Sequence, residues 1–320
     1  MSQCSPNEMS ADQMNAASSS SHTTGSEIWQ LFKITCAEWW HDNTFRFAAS
    51  LAFYTIFSLA PVLLIAVGVA SLFLARETAT EKIIAEVQKM IGDNGAQAIK
   101  QVLDASSGFG KSISAIATGV VTFLLGASAV FAELQTALNR IWDVESDPKS
   151  GIILKVVFDR LRSFALALGV GFLLLVSLVL SAALTALHDY LNNWMPGVPA
   201  VWQGLNIVVS FLAVGLLFAM IYKYLPDAKI TWTNVWIGAA VTAALFTTGK
   251  YLISLYLGQT AMGSAFGAAG SFAVLLIWIY YSALICFFGA EFTQVYARRT
   301  GRGIQPKESA RRLGKKDDDA

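Results

Sequence analysis

The sequence predicts an all-α integral membrane protein: six transmembrane helices with amphipathic interfacial helices, and both termini in the cytoplasm. Three observations lead there. Charged residues are only 14% of the 320 and hydrophobic residues 55%, whereas a soluble domain carries about a quarter charged. Stretches 47–75, 112–132, 163–187, 190–222, 230–249 and 251–290 run without a charge or a histidine. Each is long enough to supply the roughly 20 apolar residues of a bilayer crossing. Finally, lysine and arginine concentrate in alternate connecting segments, as orientation in a membrane requires.

Residues 1–25 are rich in Ser, Asn, Gln and Thr without an apolar run, so they read as a disordered tail and not as a cleavable signal. Residues 26–300 form the membrane domain. In 26–42, Trp39 and Trp40 accompany Lys33, Glu38 and Asp42, the pattern of a helix lying in the interface. Span one is about 47–75. Its Pro61 frees a backbone carbonyl, and Ser50, Tyr54, Thr55 and Ser58 stand before it; the result is a kink or a polar-lined cavity. Segment 76–111 carries charges throughout and is broken by Gly92-Asp93-Asn94-Gly95. It reads as two short amphipathic helices on the outer side.

Span two is about 112–137, span three 160–187, span four 202–224, span five 231–257 and span six 270–296. The glycine-rich residues 263–270 separate the last two, because 40 charge-free residues exceed one crossing. On span five, Gly238 stacks with Thr242 and Ala239 with Ala243, a spacing that lets helices approach closely. Residues 301–320 are expected to be a basic, disordered cytoplasmic tail. Segments 188–201 and 251–269 hold no lysine or arginine, which places them outside. Segment 76–111 balances five basic residues with five acidic ones and is the weakest support for this orientation.

Sites of chemistry are scarce. Gly110-Lys111-Ser112 lacks the glycine a phosphate-binding loop needs five residues earlier, where Ala105 stands. The acids of 143–147 lack the EF-hand glycine and glutamate, and three scattered histidines assemble no zinc motif. No metal, no cofactor and no nucleic-acid partner is expected at a net charge of +1. The three cysteines are too few and too far apart for a disulfide framework.

Ionisable residues inside spans carry more information, because each costs about 2.5–3.5 kcal/mol at mid-depth. Glu133 and Glu291 fall near the cytoplasmic level, where Arg140, Arg160, Arg162 and Lys223 are the expected partners. They form either a structural ion-pair network or a substrate or proton site. Lys250 falls near the outer face, where it either snorkels to the headgroups or attracts an anionic group within the bundle.

Several segments resemble one family. AASLAFYTIFSLAP (48–61), ALNRIWDV (137–144), KYLPDAKITW (223–232), WIGAAVTAALFTTGKYLISLY (236–256) and GAAGSFAVLLIWIYYSALICFFGAEFTQVYA (267–297) occur in order and look like the YihY/BrkB family of bacterial inner-membrane proteins. The resemblance covers roughly 30–300. It implies six spans, a multi-pass inner-membrane location, and a part in virulence or in moving envelope lipids. The family also carries an older label as a tRNA-processing ribonuclease. Motif positions carried over are Tyr54, Pro61, Asn139, Arg140, Pro226, Asp227, Lys250 and Glu291. The resulting expectation is a non-enzymatic transporter or exporter of a lipid-like, amphipathic envelope solute. The alternatives are a membrane scaffold for envelope integrity and, disfavoured, the ribonuclease. Membrane lipids are the expected partners, with envelope proteins as further candidates.

Overall fold

The computed structural model describes residues 23–71, 75–106, 113–146, 199–259, 262–300, 304–307 and 310–313. Its helices are α1 (Thr23–His41), α2 (Thr44–Ala70), α3 (Arg76–Ser106), α4 (Ile113–Ile141), α5 (Pro199–Tyr224), α6 (Trp232–Gln259) and α7 (Met262–Arg299). Four short strands complete it: β1 (Val144–Ser146), β2 (Ala228–Lys229), β3 (Gln305–Pro306) and β4 (Ala310–Arg312). The expected third span, 160–187, lies outside the described residues, as does most of the N-terminal tail. Of that tail, residues 23–25 already belong to α1.

Among the described residues, three segments are long and apolar enough to cross a membrane: Ile207–Tyr224, Trp232–Ile253 and Gly270–Arg299. They become four if the bent pair Thr44–Ala60 and Val62–Gly68 counts as one span. That pair turns through 45° around Pro61, because proline removes a hydrogen bond and its ring crowds the preceding turn. The hydroxyls before it respond as expected, Thr55 Oγ1 donating to the Leu51 carbonyl at 2.7 Å and Ser58 Oγ to the Thr55 carbonyl at 2.9 Å. Ser58 also lies against Gly126 of α4, where an added Cβ would sit 2.9 Å from its own Cβ. Of the polar face of α2, Ser58 is buried against this neighbouring helix while Tyr54 stays exposed, so the bend is present and the polar face is covered only in part.

Helix α7 is the hub, packed against α1, α2, α3, α4 and α6. It starts at Met262, so the glycine-rich 263–270 is helical and not a separator. Glycine is tolerated there because helices in an apolar medium must satisfy their backbone internally. Helices α6 and α7 run antiparallel, as two close approaches show. Gly238 meets Thr293, while Gly249 meets Tyr281 further along. The first approach is reciprocal. An added Cβ at Gly238 would lie 1.7 Å from Thr293 Oγ1, and one at Gly289 would lie 1.7 Å from Thr242 Oγ1. Each threonine in turn donates to the carbonyl of the glycine four residues before it, at 2.7 Å. The expected small-residue stack on α6 therefore has a counterpart on α7, and together they let the two backbones touch.

The predicted break in segment 76–111 is present. Gly92 has φ 76° and ψ −176°, a conformation open to glycine alone. The two halves of α3 fold back on each other there. Arg76, Glu81 and Gln88 from the first half line one open groove of about 530 Å³ with Lys100 and Asp104 from the second. Their apolar faces pack with Leu63 and Val67 of α2 and with Leu275 and Trp278 of α7, far along α7 from its C-terminal end.

At that C-terminal end lies the larger core cluster, which includes Leu138 and Ile141 of α4 with Trp142 just after it, Tyr222 of α5, and Phe287 and Ala290 of α7. Residues 304–307 and 310–313 close over it as paired strands, unlike the disordered tail expected from 301 onward; the rest of that tail lies outside the described residues. β3 pairs antiparallel with β2, and β4 with β1. The Lys307 ammonium donates to the Pro226 carbonyl at 2.6 Å, and the Lys307 N–H to the Asp227 carbonyl at 2.8 Å. Arg311 pairs with Glu145. A polar, basic stretch looks disordered by composition, yet the exposed edges of β1 and β2 supply the backbone partners that order it.

Candidate functional site

One end of the bundle gathers α1, the exit of α4, the turn between α5 and α6, the end of α7 and the C-terminal strands. Two polar arrangements are built there. The first joins α4 to the α5–α6 turn. Asp227 is buried; its carboxylate accepts from Asn139 Nδ2 at 3.1 Å and from Gln135 Nε2 at 3.2 Å. In return the Asp227 N–H donates to Asn139 Oδ1 at 2.8 Å. Asn139 thus satisfies both a donor and an acceptor of a residue 88 positions away, and buried polar groups are stable only when so satisfied. The resemblance pointed to Asn139, Pro226 and Asp227 separately; the fold makes them one joint.

The second arrangement lies where α1 and the turn after it meet α7. Arg298 reaches two carboxylates, Glu38 at 3.0 Å and Asp143 at 2.5 Å, while Gln294 Nε2 donates to Asp143 at 3.1 Å. Asp143 holds the left-handed φ of 51° that ends α4, a conformation aspartate and asparagine tolerate better than most residues. Arg140, expected as a partner of Glu291, instead faces Asp42 at 3.9 Å. Lys223 is turned away as well. Its ammonium donates to the Ile230 carbonyl and lies over the Trp232 ring. Arg160 and Arg162 lie outside the described residues.

Glu291 itself is fully buried, and neither carboxylate oxygen has a hydrogen-bond donor. The group at hydrogen-bond reach is another acid, Asp42, and the other charges bearing on it are Glu38 and Arg298. Burial pushes the Asp42 carboxyl above the ordinary carboxylate range, with the Arg140 guanidinium opposing the shift. On the same α1–α7 interface the Trp39 indole N–H is also buried without a partner, its ring edge-on to Phe288 at 5.9 Å.

The remaining predicted positions stand apart. Glu133 is half-buried on α4 without an ion pair among the described residues. Tyr54 is exposed on α2, edge-on to Phe53. Pro61 marks the bend. Lys250 is half-buried towards the far end of α6, 6.0 Å from the Tyr251 ring centre. Its neighbour Gly249 meets Tyr281, about 15 Å along α7 from Glu291, so the two charges do not meet. Two acids of the 143–147 run are held by arginines, Asp143 by Arg298 and Glu145 by Arg311, while Asp147 lies outside the described residues. Among the described residues no group of three or more His, Cys, Asp or Glu is placed to hold a metal.

Sequence reasoning missed Glu38, Asp42, Asp143 and Arg298, which sit outside the charge-free runs and look like ordinary interface charges. It also missed Gly289 and Thr293, although the four-residue spacing that marked α6 is repeated there.

Comparison with known proteins points to membrane proteins. A UPF0761 membrane protein of Alteromonas mediterranea is 26% identical over 269 residues, covering 83% of this chain and 86% of its own length. UPF0761 membrane proteins of Albidiferax ferrireducens and Neisseria meningitidis are 28% and 27% identical, over 81% and 77% of this chain. The chain spans only 60% and 58% of the length of those two relatives. No solved structure matches. The family model described as virulence factor BrkB matches residues 35–313. Matched over most of its length, this membrane protein belongs to the virulence factor BrkB family.

Proposed function

We propose that this protein spans the bacterial inner membrane six times, with both termini in the cytoplasm, and moves or exports a lipid-like, amphipathic envelope solute without enzymatic chemistry. The observation that carries this reading is Glu291: a fully buried carboxyl on a spanning helix, with neither oxygen supplied with a donor. An acid so placed destabilises the fold, and in membrane proteins such groups mark ion or substrate pathways. The orientation is supported by the company the basic segments keep. The α4 exit, the α5–α6 turn, α1 and the C-terminal strands meet at one end of the bundle, and each brings lysine or arginine to it: Arg140, Lys229, Lys33 and, from the strands, Lys307 and Arg311. Membrane lipids are the expected partners.

A second reading, a scaffold for envelope proteins, is favoured by the tight α6–α7 crossing at Gly238 and Gly289, which suits a bundle that does not open. The ribonuclease reading finds less support, because the Asp143 and Glu145 carboxylates are occupied by arginines and do not converge on one point.

The test is transbilayer movement of a fluorescent phospholipid in proteoliposomes, with mass spectrometry of lipids that co-purify. Movement faster than in protein-free liposomes, and slowed by Glu291→Ala at equal incorporation, is expected. Equal rates with and without protein, together with no retained lipid, would leave the scaffold reading in its place.

A further inference from the structure

We infer that Asp42 and Glu291 bind one proton between them, so that the charged end of the bundle contains a proton site linking the α1–α2 turn to α7. Three features of the structure lead to it. Both oxygens of Glu291 are buried without a donor, and its neighbour at hydrogen-bond reach is a carboxyl, an acceptor while ionised. Two ionised acids in that position repel; a single proton converts the contact into a hydrogen bond from one carboxyl to the other carboxylate. The bare pair carries two negative charges and the protonated pair one.

Among the described residues, the surrounding charges do not supply the balance. Facing the pair from α1 and its turn are Glu38 and His41, from the end of α4 Arg140 and Asp143, and from α7 Arg298. Arg298 is already shared between Glu38 and Asp143. Arg140 stands 3.9 Å from Asp42, with its side chain 47% exposed. Among the described residues four carboxylates therefore face two guanidinium groups, and the acid in the driest position has no hydrogen bond to either. A metal cation is the other way to neutralise the pair, but among the described residues no group of three or more candidate ligands converges here. The proton needs only the two oxygens present.

The inference rests on the same carboxyl as the transport reading, and it is read on purified protein without any solute, so either can fail alone. The experiment is thermal unfolding in detergent from about pH 5 to about pH 9, without added sodium or potassium. A proton held by the folded state and not by the unfolded one gives stability that is full at low pH and lost as pH rises through the folded titration. The wild type should therefore lose Tm with rising pH. Glu291→Gln, which keeps the shape and supplies a donor, should flatten that slope and match or exceed the wild type at the alkaline end. Asp42→Asn should flatten it too, while His41→Gln, which leaves both acids in place, should leave most of it. Infrared difference spectra should show a protonated-carboxyl C=O band in the wild type that Glu291→Gln removes. A slope unchanged in both acid variants, or no such band, would overturn the proposal. So would saturable stabilisation by sodium at fixed pH that Glu291→Gln abolishes, since the occupant would then be a metal cation.

Discussion

Replacing Gly289 by alanine tests the α6–α7 crossing most directly. The new Cβ would sit 1.7 Å from Thr242 Oγ1, 2.6 Å from the Tyr222 hydroxyl and 2.9 Å from Thr242 Cβ. Ordinary contact needs about 3.5 Å, so the helices must part by roughly 1.5 Å or the threonine must turn. Turning it forfeits the 2.7 Å bond to the Gly238 carbonyl and the 2.9 Å contact with Tyr222, and leaves the Cβ–Cβ clash in place. The Tyr222 hydroxyl, which donates to the Cys286 carbonyl at 2.7 Å, is disturbed as well. Overpacking costs about 1–3 kcal/mol and each lost hydrogen bond about 0.5–1.5 kcal/mol. The sum is about 2–5 kcal/mol, on the order of 10 °C in Tm. Gly68→Ala is the control, since a Cβ there meets nothing within 4 Å. It should be neutral or slightly stabilising, because alanine lowers the entropy of the unfolded chain. The assay is fluorescence-detected thermal unfolding in one detergent for both variants. If Gly289→Ala unfolds at or above the temperature of Gly68→Ala, the close crossing does not exist as described.

Further outcomes follow from the same end of the bundle. Asn139→Ala removes one donor to the Asp227 carboxylate and the acceptor of its N–H; a loss of about 2–4 kcal/mol is expected by thermal unfolding, non-additive with Asp227→Asn in a double-mutant cycle. Arg311→Ala breaks only a surface pair with Glu145, so it should cost under about 1 kcal/mol and less still in high salt. Truncation before Ile304 removes both strand pairings and should lower Tm clearly more than Arg311→Ala does. Reporter fusions after residue 150 and at the C-terminus should read cytoplasmic, and those near 90, 195 and 262 external; a cytoplasmic reading near 90 would refute the orientation of α3.

What the sequence determined by itself was the solvent and the elements. Charge-free runs anticipated α2, α5, α6 and α7 to within a few residues at the ends that gather near the C-terminal strands, because an apolar medium forces each span to satisfy its own backbone. The bend at Pro61 and the break at Gly92 were legible for the same local reason: each follows from one residue's own backbone chemistry. The start of α7 was not, because glycine signals a break only where water can compete for the backbone. Pairing was beyond sequence reading altogether. Glu291, Asp227 and Asn139 were visible as unusual residues, but Arg140 and Lys223 stood at the right depth to serve Glu291 and face elsewhere. Depth is set by distance along one helix, which the sequence counts. Direction is set by how helices rotate to bury Gly238 against Thr293 and Gly289 against Thr242, which depends on every neighbour at once. That packing turned Glu291 towards Asp42 with no contact to Arg140 or Lys223, and ordered residues 304–307 and 310–313 along two strand edges that form only when the bundle has assembled.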